Sequence, residues 1–215
     1  MLPKHELDAI RFENLADTVL AERVFRDRIP LDVHVLQTHE HLRPSQLDVE
    51  SFSPVQLGWR WGPVWSTAWF RITADVPESL KDQSLAIQFS SGTEATFWHD
   101  ATPWHGLDEN RDLVRLDPSM LGSGGLEFLI EAACTLPLGA STFWWDHPEV
   151  QTRWREPNPG RLESASLVVL DDSAWRLKEA WDFARRLLLA LPPESDASAR
   201  LLEGMHHLAP MLATE

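Results

Sequence analysis

The sequence predicts a mainly β fold: an antiparallel, jelly-roll-like β-sandwich with an N-terminal helix and C-terminal helices. Between residues 67 and 169, apolar and polar side chains alternate in short runs, as in strands with one covered face. Clusters of Pro, Gly, Ser and Asp separate these runs. Helical spacing occurs only near the two ends of the chain. Short strands with turns between them favour a sandwich or jelly roll over alternating βαβ units.

The N-terminal third begins with a predicted helix over residues 6–28, because its apolar residues follow helical spacing with charges between them. Pro30 is expected to end this helix. Residues 29–36 then alternate between apolar and polar side chains, which predicts a strand. The next stretch, residues 37–63, has no clear period and contains two prolines and two glycines before Pro63, so it is predicted to be mostly loop.

The central strands are predicted at residues 67–76, 85–89, 94–98, 114–116, 126–132 and 165–169. Residues 137–160 form a long proline-containing segment, of the kind that is usually functional or mobile. Residues 173–191 return to helical spacing, and Pro192 and Pro193 are expected to stop that helix. Asp171-Asp172 is expected to favour its N-terminus electrostatically. Ser195 or Asp196 would cap a last helix that runs through Leu212. The predicted segments are therefore a helix at 1–28, a sandwich at 29–172 and a helical segment at 173–215.

Composition limits the functions that fit. The 215 residues include 19 Lys and Arg against 33 Asp and Glu, a formal charge of −14, which argues against nucleic-acid partners and anionic membranes. No secretory signal pattern opens the chain and no apolar run approaches the length of a membrane span, so a cytoplasmic protein is expected. The single Cys134 excludes a disulfide framework within the chain and a Cys-cluster zinc site. Cys134 itself is predicted to be a small buried apolar residue.

Catalytic fingerprints are missing from the sequence. It contains no Gly-x-Gly-x-x-Gly or Walker loop and no Gly-x-Ser-x-Gly elbow. His39-Glu40-His41 would place two imidazoles on one face if extended, but no third metal ligand follows at a fixed spacing. A polar loop is therefore favoured over a metal site, and no metal is expected in this chain. A catalytic carboxylate pair cannot be selected among 33 acidic residues.

The tryptophans are the informative feature, because the chain has eleven Trp and no Tyr. One hypothesis is that exposed indole faces stack on sugar rings; at about 100 Å² and ~25 cal/mol/Å² each ring would contribute roughly 2.5 kcal/mol, and two would reach only about millimolar affinity. The favoured hypothesis is that the rings cover an apolar surface against the terminal helices or another domain. A strand with apolar groups on both faces is usually covered on both. The predicted interface residues are Trp59, Trp61, Trp65 and Trp69.

A family resemblance rests on several sequence runs. They are Gly58-Trp59-Arg60-Trp61-Gly62-Pro63, Ser66-Thr67-Ala68-Trp69-Phe70-Arg71, Val76-Pro77, Phe89 through Ala95, Trp98 with Gly106-Leu107-Asp108, Leu129 through Cys134, and Ala174-Trp175-Arg176-Leu177. Over residues 25–190 the chain resembles the N-terminal domain of the cytosolic and vacuolar type of α-mannosidase in glycoside hydrolase family 38. It departs from that pattern at Asp100-Ala101, where the family has an Asp-Gly turn, and at Thr135-Leu136-Pro137, which replaces an Asn-Gly stretch.

The resemblance implies a β-sandwich that precedes a zinc-dependent retaining mannosidase domain, whose His-x-Asp motif ligates the metal. None of the nine histidines here is followed two residues later by Asp. The zinc and the nucleophile are therefore expected outside this chain, with 173–215 as a helical linker toward the catalytic domain. The expected role is non-catalytic: packing against the catalytic domain of the same parent chain, association of subunits, or both.

The alternative is an independent carbohydrate-binding module. It would bind a glycan through Trp104, Asp108 and Asn110, or through Trp144 and Trp145.

Overall fold

The computed structural model describes residues 4–108, 111–121, 125–135, 152 and 155–213. The chain divides into two compact units. One unit comprises Arg28–Val168 and holds most of the strands; the other comprises Met1–Asp27 with Val169–Glu215 and holds the helices. A mainly β fold with an N-terminal helix and C-terminal helices is therefore confirmed.

The strands of the described residues form two larger antiparallel sheets and a two-stranded ribbon. They are β1 (Phe25–Pro30), β2 (Asp32–Thr38), β3 (Ser53–Val55), β4 (Arg60–Trp61), β5 (Thr67–Ala74), β6 (Leu85–Ser90), β7 (Ala95–His99), β8 (Thr102–Leu107), β9 (Leu113–Arg115), β10 (Leu126–Ala133), β11 (Gly160–Arg161) and β12 (Ser164–Leu170). The larger sheet has the order β3-β2-β5-β10-β7-β8, the smaller sheet has the order β1-β12-β6-β9, and β11 pairs with β4.

The sandwich core lies between the two larger sheets. Phe70 on β5 and Phe89 on β6 belong to different sheets, and their ring centroids are 5.2 Å apart in an edge-to-face contact. Alternate residues of β5 and β10, including Ile72 and Ile130, are fully buried beside them. Such aromatic contacts contribute beyond the area that they remove from water. The alternation in the sequence thus correctly marks the covered face of these strands.

The opposite face of the larger sheet is polar along part of its length. Arg71 on β5 donates from Nε to Glu127 Oε1 at 2.7 Å and from a terminal nitrogen to Oε2 at 3.0 Å. Hydrogen bonding to Arg71 holds the pKa of Glu127 below its usual value. The same face carries Trp69 and Glu131, which are directly paired across β5 and β10. This outer face therefore carries the buried Trp69 and the half-buried carboxylate of Glu131 side by side.

The helical unit contains α1 (Lys4–Leu15), a π-helical turn (Ala16–Leu20), α2 (Ala21–Val24), α3 (Asp172–Ala190) and α4 (Asp196–Ala213). Its core is built from residues of both ends of the chain: Phe12, Ala16, Leu20, Trp181, Leu188 and Met205. The Trp181 indole N–H donates to the Phe12 carbonyl at 2.9 Å. The two helical segments, which the sequence treats separately, therefore share one core. No helix among the described residues has the length and apolarity needed to cross a membrane.

Three boundary predictions are corrected in the first 63 residues. The predicted helix over 6–28 ends at Val24, because Phe25 adopts an extended backbone and begins β1 beside β12. The predicted strand over 29–36 is two strands, β1 and β2, separated at Leu31. The predicted loop over 37–63 also contributes β3 and β4.

The predicted ends of the two C-terminal helices are confirmed. The Asp171 carboxylate accepts the backbone N–H groups of Ser173 and Ala174, each at 3.0 Å, and therefore caps α3. The Ala174 N–H and the Arg26 guanidinium lower the pKa of Asp171. Helix α3 ends before Pro192, and the Ser195 hydroxyl accepts the Ser198 N–H at the start of α4.

Candidate functional site

The four tryptophans of residues 59–69 differ sharply in exposure. Trp61 and Trp69 have 0% of their surface exposed, Trp59 is half-buried, and Trp65 is 71% exposed. A ring with no exposed surface has none left to bury against a partner. Trp61 and Trp69 therefore cannot contribute to an interface with another protein surface. An interface role of Trp65, and of the exposed part of Trp59, stays a prediction.

Trp61 belongs to the core of the sandwich unit. Its indole N–H donates to the Ser91 carbonyl at 3.1 Å, and its ring meets Phe70 edge to face at 6.1 Å. Gly160 lies against the same ring, since a Cβ there would come within 2.4 Å of the indole. Only a glycine leaves room for the indole at this position in β11.

Trp69 is covered on the other face of β5. Its ring lies 5.7 Å from the ring of Trp98 on β7, and Phe70 points to the opposite side of the strand. Both faces of β5 are therefore covered, as the apolar residues on both faces predict. The Trp69 indole N–H has no hydrogen-bond partner among the described residues.

Trp65 is held in an unusual backbone conformation. Its φ of +73° is in the left-handed region, which bulky side chains rarely adopt and which costs about 1–3 kcal/mol. The backbone is fixed on both sides: Trp65 N–H donates to the Cys134 carbonyl at 2.7 Å, and Ser66 donates from both its N–H and its hydroxyl to the Pro63 carbonyl. The loop backbone that carries this exposed indole is therefore hydrogen-bonded on both sides.

The carbohydrate-binding candidates are only partly placed. Trp104 is 56% exposed on the edge strand β8, at a bulge, with its ring 6.0 Å from that of His99. Asp108 forms an ion pair with Arg111 at 2.6 Å. Asn110, Trp144 and Trp145 lie outside the described residues. Of the two alternative sets of predicted glycan-binding residues, the structure describes only Trp104 and Asp108. Sugar binding by either set stays a prediction.

Asp108 lines a cavity of about 350 Å³ on the outer face of the larger sheet. Its lining residues come from β7 and the residue before it, from β8 and the turn after it, and from β10: Glu94, Ala95, Thr96, Gly106, Leu107, Asp108, Arg111, Glu131 and Ala133. Trp104 is not among them. The sequence alone does not single out Glu131 and Thr96 as cavity residues, because alternation only marks them as outward-facing. The register that pairs Glu131 with Thr96 across β10 and β7 requires the structure.

His39 and His41, the two imidazoles weighed as metal ligands, lie near no convergent set of further ligands among the described residues. His39 and His41 are exposed, and no group of three or more metal-ligating side chains converges within the described part of the chain. Cys134 is fully buried, which confirms its predicted place as a small core residue.

A family model and several known proteins match parts of this chain. Residues 29–180 match a family model described as "Alpha-mannosidase, jelly roll domain". The chain is 30% identical over 128 residues to alpha-mannosidase 2C1 of Mus musculus, and 30% identical over 134 residues to that of Homo sapiens; each match covers 58% of this chain and 12% of the relative. A beta-glucuronidase of an uncultured Clostridium has a TM-score of 0.43 at 14% identity, over 69% of this chain and 30% of its own.

The two antiparallel sheets and the family match define a jelly roll domain. The chain belongs to the family of α-mannosidase jelly roll domains. It matches only about an eighth of the length of its curated relatives.

Proposed function

We propose that this chain acts as a non-catalytic jelly roll domain of an α-mannosidase, and that Trp65 contacts the catalytic domain of the same parent protein or another subunit. The observation that carries this proposal is a bulky indole that is 71% exposed and held at a φ of +73°. Backbone strain at an exposed side chain is retained where it serves a contact. The parent protein would hydrolyse α-mannosides with groups outside this chain, including its zinc.

Burial of Trp65 would offset the strain of its loop. Covering about 100 Å² of indole surface at about 25 cal/mol/Å² contributes roughly 2.5 kcal/mol, comparable with the cost of the left-handed backbone. Tryptophan is also enriched among residues that dominate protein interfaces. Because the loop is already hydrogen-bonded, little further ordering is needed on association.

A cytoplasmic location is part of the same proposal. It is supported by the single, fully buried Cys134, since extracellular domains commonly rely on disulfides.

Trp65→Ala is expected to weaken the assembled enzyme without weakening the chain on its own. In cells that encode the chain, an affinity tag on it is expected to recover activity toward p-nitrophenyl α-D-mannoside. The Trp65→Ala enzyme should lose that activity about tenfold faster on moderate heating, since a tenfold change corresponds to about 1.4 kcal/mol. The isolated 215-residue chain should keep its thermal midpoint, because Trp65 buries little within it.

Trp104→Ala is the matched control, since it removes another exposed indole from the same unit. It should leave the inactivation rate of the enzyme unchanged. Recovery of no α-mannosidase activity with the tagged chain would contradict the assignment to an enzyme. Equal inactivation rates for both variants and the unmodified enzyme would instead contradict the role of Trp65.

A further inference from the structure

A glycine is among the residues that line the cavity on the outer face of the larger sheet. Gly106 on β8 faces Thr96 on β7, and no atom of the described residues lies within 4 Å of the place where its Cβ would be. The φ of Gly106 does not require glycine. The local backbone therefore tolerates a side chain here, and the cavity of about 350 Å³ that Gly106 helps to line is within the size range of small-molecule sites.

The cavity presents hydrogen-bond acceptors and donors together. Glu94, Glu131 and Asp108 supply carboxylate oxygens, and the Thr96 hydroxyl can donate or accept. Arg111 donates from Nε and one terminal nitrogen to the same Asp108 oxygen, at 3.0 and 2.6 Å, so its guanidinium is positioned at the rim. The arrangement places groups of both kinds around one recess.

Glu131 is a half-buried carboxylate in this set. Burial raises its pKa above the usual value, and the Trp98 side chain and the charge of His41 offset only part of that effect. A half-buried carboxyl in this condition gains from additional hydrogen-bond donors. Hydroxyl groups of a ligand in the cavity would supply such donors to Glu131.

The mixed lining discriminates among ligand classes. An apolar ligand would take the Glu94 and Glu131 carboxylates out of water without supplying hydrogen-bond donors, which is costly. A metal ion is disfavoured, because no three metal-ligating groups converge in the described ranges. An organic cation would be attracted by the Glu94 and Glu131 carboxylates, but it would offer no acceptor to the Thr96 hydroxyl or the Arg111 guanidinium. Vicinal hydroxyls both donate and accept, so they match carboxylate, hydroxyl and guanidinium at once.

We propose that this cavity, with Glu131, Thr96, Asp108 and Arg111 around the Gly106 recess, binds a small polyhydroxylated ring such as a monosaccharide or a cyclic polyol. This site is separate from the Trp65 contact and does not depend on it. It shares Asp108 with the glycan site that the sequence suggests, but it uses the sheet face instead of the indole of Trp104.

The test is a titration of the 215-residue chain followed through backbone amide resonances. The probes are methyl α-D-mannopyranoside, methyl α-D-glucopyranoside and myo-inositol, with methylguanidinium as the cationic comparison. At least one polyol is expected to give saturable shifts at Gly106, Thr96 and Ala133, with a dissociation constant on the order of millimolar.

Two variants test the lining of the cavity. Gly106→Val should place a side chain in the recess and weaken binding by at least about tenfold, and Glu131→Gln should weaken it by about fivefold. Trp104→Ala should change affinity by less than about twofold.

Three results would overturn the proposal. The first is the absence of saturable shifts at these amides up to about 100 mM of every polyol, well above the millimolar range expected. The second is polyol binding that Gly106→Val and Glu131→Gln both leave intact. The third is methylguanidinium binding more tightly than every polyol, which would make the cavity a cation site. Thermal midpoints of the two variants establish that each is folded, and Glu131→Gln serves alone if Gly106→Val is not.

Discussion

Trp61→Ala is expected to lower the free energy of unfolding of the chain by about 3–5 kcal/mol, the range for deleting a large buried aromatic side chain. Trp61 has no exposed surface, contacts Phe70, and donates its N–H to the Ser91 carbonyl. The alanine variant would leave a cavity and remove one of two hydrogen bonds to the Ser91 carbonyl, which also accepts the Arg161 backbone N–H. Urea denaturation followed by far-ultraviolet circular dichroism measures the loss as a lower midpoint.

Gly160 provides the matched test of that packing. Gly160→Ala alone should cost about 1–3 kcal/mol, since its Cβ would overlap the indole of Trp61. In the Trp61→Ala background the same substitution should cost little, because the overlapping ring is gone, so the two effects should be strongly non-additive. Trp65→Ala should cost less than about 1 kcal/mol in the isolated chain. A Trp61→Ala loss as small as that of Trp65→Ala would contradict the placement of Trp61 in the core.

Trp181→Ala is expected to cost the helical unit about 3–5 kcal/mol as well. Trp181 is buried on α3, its ring meets Phe12 edge to face at 5.4 Å, and its N–H donates to the Phe12 carbonyl. The substitution would therefore remove contacts between the first and third helices of one core. The helical ellipticity at moderate urea concentrations is the appropriate measurement, and it should fall at a lower urea concentration in the variant.

Phe183→Ala is the control for Trp181→Ala, because Phe183 lies on the same helix with an exposed side chain. It should change the free energy of unfolding by no more than about 0.5 kcal/mol. Equal effects of the two substitutions would mean that the shared core of the terminal helices is wrongly placed.

The sheet pattern is the part of the fold that the sequence predicts best. In β5 and β10, period-2 alternation identifies the covered residues Phe70, Ile72 and Ile130 without further information. The end of the first helix is harder, because residues 25–28 fit a helical pattern as well as a strand. Pairing with β12, more than a hundred residues later, decides for the strand.

The tryptophans show where local sequence stops being sufficient. Trp61 and Trp65 stand four residues apart in the same aromatic stretch, yet one is buried and the other exposed. The difference depends on Gly160, which packs on Trp61, and on the left-handed backbone of Trp65. Neither is visible in the local pattern. The cavity around Glu131 likewise depends on a register that joins β7, β8 and β10.

The central claim is that the exposed Trp65 indole is covered by neighbouring protein in the assembled enzyme. Photo-cross-linking tests it most directly, with Trp65→p-benzoylphenylalanine in the protein as its cells produce it and Trp104→p-benzoylphenylalanine as the matched comparison. Position 65 should cross-link to peptides of an α-mannosidase catalytic domain or of another subunit, and position 104 should give far less product. Equal or negligible cross-linking at the two positions, in a preparation with α-mannosidase activity, would contradict the account.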